Sequence, residues 1–153
     1  MATDLRALTC TALITALEKQ RDGVVEYVTP LSEQELWAKP VDPGNSIGHL
    51  VLHLAGNLNH FVGAQLGNTG YRRDREREFT ETRPPAKAQL LAGLNDAVAT
   101  FHRVVSGLDA ERLTEAHPES RFGTVLEGLV HLVAHFSLHR GQISYLVRLV
   151  KQS

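Results

Sequence analysis

Cysteine is almost absent from this chain, and so is any excess of charge. The only cysteine among the 153 residues, Cys10, cannot form an internal disulfide bond, and a single thiol is typical of a reducing compartment. The 16 Lys and Arg residues are balanced by 17 Asp and Glu residues, so no overall field attracts nucleic acid or an anionic membrane. The composition therefore predicts neither a nucleic-acid partner nor a membrane partner.

Long uninterrupted apolar stretches are missing as well. The most apolar run, residues 124–149, contains three His, two Arg and Gln142, which interrupt the roughly 20 apolar residues that a membrane span requires. The N-terminus carries Asp4 and has no basic cluster before its short apolar segment, a pattern typical of an amphipathic helix rather than a signal peptide. We therefore expect a cytoplasmic protein.

Helical periodicity is what the sequence does contain. Apolar residues recur every three or four positions along four long segments and two short ones, and no stretch has the pattern of a strand. The long segments are residues 3–29, 45–66, 84–108 and 124–149, and the short ones are residues 33–39 and 110–113. The length suits one domain, residues 1–153. These patterns predict an all-α four-helix bundle with short extra helices.

The starts of the second and fourth long helices are marked by capping residues. Asn45 or Ser46 can cap the second helix, and Thr124 with Glu127 forms a capping box for the fourth. The fourth helix is apolar nearly all round its circumference, which predicts a central rather than a peripheral position.

The connection between the second and third long helices is long and highly charged. Residues 68–85 alternate Arg with Asp and Glu, a pattern that favours a solvated loop, although connections of this length often bind ligands. Tyr71 and Phe79 flank the charged centre and can pin it to the bundle. Such a segment can span a 20-residue helix, so the helices on either side can be parallel, in an up-down-down-up order.

Histidines line one face of each of two predicted helices. In the fourth helix they stand at i, i+4 and i+8, and in the second they lie within about 40° of one another on a helical wheel. Facing columns of this kind are where bundles build metal sites. The two stripes contain His131, His135, His139 and Gln142 in the fourth helix and His49, His53, Asn57 and His60 in the second.

These columns can hold a divalent metal ion. Neutral imidazoles bind Zn²⁺ or Ni²⁺, but the histidines of the fourth helix span about 12 Å and cannot all share one ion. One adjacent pair, 131/135 or 135/139, with either His49 or His53, is therefore predicted, and His135 belongs to both pairs. Three His would leave a coordination position open, as in catalytic sites. A hydrogen-bonded polar core is the alternative interpretation.

Two motifs in the histidine helices carry a family resemblance. They read NSIGHLVLHLAGN from Asn45 and HLVAHFSLHRGQISYL from His131. Both resemble the DinB/YfiT-like superfamily of metalloenzymes, and YRRDREREF, from Tyr71, is similar to its DUF1572 branch. The resemblance, over about residues 36–150, implies an up-down-down-up bundle, often a homodimer, with a divalent metal on three His. Matched residue by residue, these ligands are His53, His135 and His139.

The resemblance also implies a chemistry. It leaves His49, His60 and His131 outside the ligand set. With Asn57 and Gln142, they are candidates to orient the ligands or to bind a small-molecule substrate. Some relatives are transferases or isomerases that use a low-molecular-weight thiol such as mycothiol, bacillithiol or glutathione, whose thiolate a metal would hold. A thiol S-transferase is therefore implied. The alternatives are a metal-dependent hydrolase and a non-catalytic bundle that binds metal or dimerises. No catalytic residue is assigned.

Overall fold

Four long helices and three short ones make up the protein, as described by a computed structural model for residues 4–152. The long helices are α1 (Leu5–Val28), α3 (Ile47–Leu58), α5 (Lys87–Ser106) and α7 (Val125–Val150), and the short ones are α2 (Glu33–Trp37), α4 (Arg77–Thr80) and α6 (Ala110–Thr114). The π-helical segment Asn59–Ala64 continues α3, and the 3₁₀ turn Ser120–Phe122 precedes α7. Within residues 4–152 the only β-pairing is an isolated bridge, so the predicted all-α four-helix bundle is confirmed.

Side-chain caps begin the two helices that carry the histidine columns. The Ser46 hydroxyl accepts a hydrogen bond from the His49 backbone N–H at 3.1 Å, and Thr124 accepts one from the Glu127 N–H at 3.2 Å. The Glu127 carboxylate accepts the Thr124 backbone N–H in return, at 2.7 Å. The predicted capping box is therefore present, and of the two cap candidates for α3 the structure uses Ser46.

Two pairs of neighbouring helices run in opposite directions. The Arg6 guanidinium, near the start of α1, donates to the Leu108 carbonyl just beyond the end of α5, at 3.3 Å. Similarly, the His139 ring in α7 lies 4.8 Å from that of His53 in α3, whereas Phe122, just before α7, lies 5.0 Å from Phe61 at the far end. Thus α1 is antiparallel to α5, and α3 is antiparallel to α7.

Helices α3 and α5 are parallel, which makes the order unusual. Gly63 faces Thr100, and Gly67 faces Val104. Both steps are four residues in the same direction along the chain. The chain must therefore cross the length of the bundle between the two helices, and residues 68–85 make this crossing. The directions are up, down, down and up, as the sequence predicted.

Several helix boundaries differ from the prediction. Helix α5 starts at Lys87 rather than at the prolines, with Ala86 as its N-cap residue at φ −59° and ψ 149°. Pro85 disfavours a helical conformation in Pro84 before it. Helix α2 ends at Trp37 rather than Lys39, since Lys39 itself precedes a proline. Helix α1 begins at Leu5 with Asp4 as its cap, and predicted residue 3 lies outside the described residues.

The prediction that the fourth helix is central is wrong for one of its faces. One stripe of α7 is buried in the single apolar core, and its members are Leu129, Leu132, Phe136 and Ile143. On the opposite stripe, Val130, Leu138 and Tyr145 are 53%, 60% and 64% exposed. In a four-helix bundle, each helix keeps an outer face that the other helices do not cover. An apolar outer face has the same sequence pattern as a buried face. No helix within residues 4–152 is long and apolar enough to cross a membrane.

Two glycines provide a matched test of the backbone. Gly123 precedes the cap of α7 and has a φ of +75°, a backbone conformation that residues with a Cβ atom avoid. Gly93, in α5, has a helical backbone and open space around it. We expect Gly123→Ala to lower the free energy of unfolding by roughly 1–3 kcal/mol and Gly93→Ala to raise it by roughly 0.5–1 kcal/mol. Urea unfolding followed by circular dichroism measures both, and equal effects would contradict the assigned φ.

Candidate metal centre

Three histidines converge where α3 faces α7. The Nε2 atom of His135 lies 3.3 Å from Nε2 of His53 and 3.1 Å from Nε2 of His139. One ring nitrogen from each residue lies within 4.8 Å of the others. The structure therefore brings together the three predicted ligands, and the adjacent pair that approaches His53 is 135/139. His131 instead stacks on His135 with its ring centroid 6.1 Å away.

Two of the three separations between these nitrogens fit a tetrahedral metal ion, and the third lies within 4.8 Å. With metal–nitrogen bonds of ~2.0–2.1 Å and tetrahedral angles, two ligand nitrogens should lie about 3.3 Å apart. The two close Nε2 pairs match this separation without movement of the backbone. A cation placed between the three nitrogens would accept a lone pair from each neutral imidazole. The donor set therefore suits a divalent ion with a fourth position left for a small ligand.

A buried carboxylate determines which nitrogen of His53 faces this position. Glu78 Oε2 lies 2.9 Å from His53 Nδ1, and Arg73 donates to both Glu78 oxygens, at 2.7 and 2.9 Å. Burial alone would raise the pKa of Glu78, but the hydrogen bonds from His53 and Arg73 outweigh it and lower the pKa. An ionised carboxylate only accepts, so His53 Nδ1 carries the proton and Nε2 presents its lone pair.

Gly56 is required for this contact. A Cβ atom at Gly56 would lie 2.1 Å from Glu78 Oε1, so any side chain there would displace the carboxylate. Because Gly56 follows His53 by three residues on α3, both lie on the face that meets α4. Phe79, the next residue of α4, packs its ring 4.9 Å from that of His53.

A second hydrogen bond orients His139. Its Nδ1 lies 2.7 Å from Gln142 Oε1, three residues further along α7. The amide oxygen is an acceptor, so Nδ1 donates and Nε2 is again left free to coordinate. Gln142, one of the candidates to orient a ligand, is therefore in contact with His139.

The environment keeps His135 and His139 neutral. Burial, reinforced by the neighbouring His139 and His53, lowers the pKa of His135 from 6.5 to about 4. Burial also lowers the pKa of His139, against the opposing effect of the Gln142 hydrogen bond. Neutral imidazole is the form that binds metal, so these residues are ready to coordinate at neutral pH.

A cavity of about 560 Å³ opens in front of the three histidines. Three arginines line it, and none of its described lining residues is acidic. The lining consists of Asn45, His53, Asn57, Arg73, Arg75, Phe79, Arg121, Phe122, His131, His135, His139 and Gln142. Of the predicted candidates for substrate contact, Asn57, His131 and Gln142 therefore lie in the cavity.

The other two candidates, His49 and His60, lie outside it. His49 Nδ1 is 2.6 Å from the Ser46 hydroxyl, and its ring meets the edge of Trp37 at 5.3 Å. His60 falls in the π-helical segment, where its Nε2 is 3.4 Å from the Gln65 amide nitrogen. A helical wheel assumes one uniform rotation per residue, and a π-helical segment changes that rotation. The predicted single histidine face on this helix is therefore not maintained.

The charged connection is more than a solvated loop, which corrects the favoured interpretation. The side chains of Arg73 and Glu78 are only 8% and 7% exposed, and both belong to the site. Phe79 pins the segment as expected, whereas Tyr71 remains 38% exposed. Alternating charges alone do not show which residue turns inward. The sequence signal for an inward side chain was Gly56, which lies on the histidine face of α3 and leaves room there.

Comparison with known proteins identifies the family. The sequence model of the mycothiol-S-transferase family matches residues 12–151. The chain belongs to this family. The match also confirms the predicted DinB/YfiT-like resemblance. No protein of curated function matches this member of the mycothiol-S-transferase family.

Two solved structures have the fold of this family member. A conserved protein from Enterococcus faecalis is 19% identical with a TM-score of 0.75, over 99% of this chain and 100% of that chain. YfiT from Bacillus subtilis, described as a probable metal-dependent hydrolase with an unusual four-helix bundle topology, is 18% identical with a TM-score of 0.72, over 97% of this chain and 89% of that chain. At these identities the similarity shows the fold alone.

Glu78→Gln tests the buried carboxylate. The change leaves the buried Arg73 guanidinium without its counter-charge, so we expect the free energy of unfolding to fall by roughly 3–5 kcal/mol. The control is Glu76→Gln on the same connection, where the side chain is exposed and the effect should stay within about 0.5 kcal/mol. Equal losses in urea unfolding would show that Glu78 does not hold the loop.

The lowered pKa of His135 predicts how stability depends on pH. The unfolded chain takes up a proton on this residue near pH 6.5, whereas the folded chain does so only near pH 4. The chelator-treated protein should therefore lose stability as the pH falls through this window, because the unfolded state binds more protons. His135→Leu should flatten the dependence, and His102→Leu, at an exposed position, should not. Parallel curves for all three proteins would contradict the assigned environment.

Proposed function

We propose that this protein is a divalent-metal-dependent enzyme that transfers the sulfur of a low-molecular-weight thiol to a small electrophilic substrate. The observation that carries the proposal is the convergence of the Nε2 atoms of His53, His135 and His139 at the wall of a cavity. We take these three residues as the metal ligands and Zn²⁺ or Ni²⁺ as the ion, since both accept imidazole nitrogen.

The residues around the ligands have separate tasks in this proposal. Glu78 and Gln142 accept the Nδ1 protons of His53 and His139 and so keep both Nε2 atoms aimed at one position. Arg73 neutralises Glu78, which keeps the carboxylate ionised in a buried position. When bound, the ion supplies the charge that keeps a coordinated thiol deprotonated at neutral pH. Phe79 and Phe122 form apolar walls of the cavity, which limits the access of water to the sulfur.

Thiol transfer is favoured over hydrolysis by the family match, which covers residues 12–151. Metal-dependent hydrolysis is the second candidate, because the description of the similar YfiT structure names it. A non-catalytic bundle has less support, since a purely structural metal site is closed by a fourth protein ligand, whereas this donor set faces a cavity. The homodimer, the DUF1572 branch and the cytoplasmic location remain predictions from the sequence.

Elemental analysis of protein purified without an affinity tag tests the ligand set. The parent should carry about one divalent ion per chain, and His53→Ala, His135→Ala and His139→Ala should each lose it, because two imidazoles hold an ion poorly. The control is His60→Ala, whose ring is half-buried outside the cavity and should not affect the metal content. A parent that refuses added Zn²⁺ and Ni²⁺, or a His135→Ala variant that binds as well as the parent, would refute the site.

Thioether formation then separates transferase from hydrolase. In the reaction with a chlorobimane, the thiolate sulfur forms a bond to carbon as chloride leaves. The metal-loaded parent should accelerate this reaction with at least one biological thiol, and the three ligand variants should not. A protein that binds metal but accelerates no thiol reaction would leave hydrolysis or a non-catalytic role.

A further inference from the structure

We propose that the cavity binds a substrate carboxylate through Arg75 and Arg121, so that the preferred thiol or acceptor is an anion. The part of this inference that concerns the thiol rests on the proposed transferase function. The carboxylate site itself depends only on the charges that line the cavity.

The cavity is positively charged because the nearby carboxylate of Glu78 does not face it. Arg73, Arg75 and Arg121 all line the cavity, and no acidic residue is among its described lining. Glu78, the acidic group next to the histidines, is buried behind His53 and lies outside the lining. In a partly enclosed cavity with apolar walls, uncompensated guanidinium groups attract anions more strongly than they would on an open surface.

The three arginines differ in whether their charge is already paired. Arg73 is committed to Glu78 through two hydrogen bonds. Arg75 has no ion-pair partner among residues 4–152. Its guanidinium carbon lies over the Phe79 ring at 5.6 Å. That ring is itself 4.9 Å from His53, so one aromatic ring separates Arg75 from the metal centre.

Arg121, like Arg75, lies over aromatic rings. Its guanidinium carbon lies 5.3 Å from the ring centre of Phe61 and 5.0 Å from that of Phe122. Among the described residues its one ion pair is with Glu119 at 3.4 Å. Because the Arg121 side chain is 62% exposed, this pair is weak. The Phe122 ring lies 4.9 Å from His131, which places Arg121 at the end of the cavity marked by His131.

A guanidinium that lies over an aromatic ring remains able to bind an anion. The cation–π contact does not neutralise its charge, and the planar group carries five N–H donors. Two of these donors can form parallel hydrogen bonds to one carboxylate. Arg75 lies 5.6 Å from the Phe79 ring centre and Arg121 lies 5.0 Å from that of Phe122, and both line the cavity, so each is a positioned receptor for a carboxylate.

This arrangement selects among thiols of similar size. Mycothiol has no ionised group apart from its thiol, whereas bacillithiol and glutathione carry carboxylates. A thiol of the second kind can direct its sulfur to the histidines and its carboxylate to an arginine at once. We therefore infer that an anionic thiol, or an anionic acceptor, is bound in preference to a neutral one.

Succinate is the decisive probe, since it has carboxylates but no thiol. In titration calorimetry it should bind the chelator-treated parent, and Arg75→Gln and Arg121→Gln should each weaken binding about tenfold, the loss expected for one hydrogen bond to a charged group. The control is Arg72→Gln, which removes one exposed positive charge from the same connection but does not alter the lining. No binding, or equal binding by all four proteins, would overturn the proposal.

Two thiol probes then locate the carboxylate and keep the two proposals distinct. Mercaptosuccinate should bind the zinc-loaded parent about tenfold more tightly than 1-thioglycerol, and the advantage should disappear in Arg75→Gln or Arg121→Gln. If the two thiols bind alike while succinate binding depends on the arginines, the carboxylate belongs to the acceptor and the site stands. If zinc is refused but succinate still binds, the metal proposal fails and the anion site survives.

Discussion

The ionised carboxylate of Glu78 is the constraint on which the site depends, because a buried charge is costly unless it is paired. It is paired twice, with the Arg73 guanidinium and with the Nδ1 proton of His53. The first contact joins two residues within the charged connection, and the second attaches the connection to α3 and selects the tautomer of His53. The conformation of the loop and the orientation of a proposed metal ligand therefore follow from the same group.

The same arrangement separates charge across the site. Because Glu78 is directed to the back of His53, the cavity side retains neutral imidazoles and two arginines without a strong partner. Burial keeps the pKa of His135 low, so protons do not compete with a metal near neutral pH. An electropositive cavity beside nitrogen donors is suited to a ligand with both a thiolate and a carboxylate.

Much of this could be predicted from sequence because it depends on short spacings along regular helices. The capping residues Ser46 and Thr124 and the apolar periods predicted the long helices. The one-turn spacing of the histidines predicted that one adjacent pair, 131/135 or 135/139, can share an ion, and the family resemblance implied the second pair. The roles of Arg73, Glu78 and Arg121 could not be predicted in this way. They lie in a loop, a four-residue helix and a 3₁₀ turn, which are too short for a period to relate sequence position to the direction of a side chain.

By itself, then, the sequence determined the class of fold, the helices and a short set of candidate ligands, since local backbone geometry and hydrophobic patterning govern all three. Spacing along α3 left His49 and His53 open, the family resemblance implied His53, and the structure brings His53 to the pair on α7. The tertiary structure alone decided that Glu78 turns inward beneath Gly56. It also decided that one apolar stripe of α7 faces outward. The reason is physical: these outcomes depend on contacts between segments far apart in the chain, which spacing along a single helix does not encode.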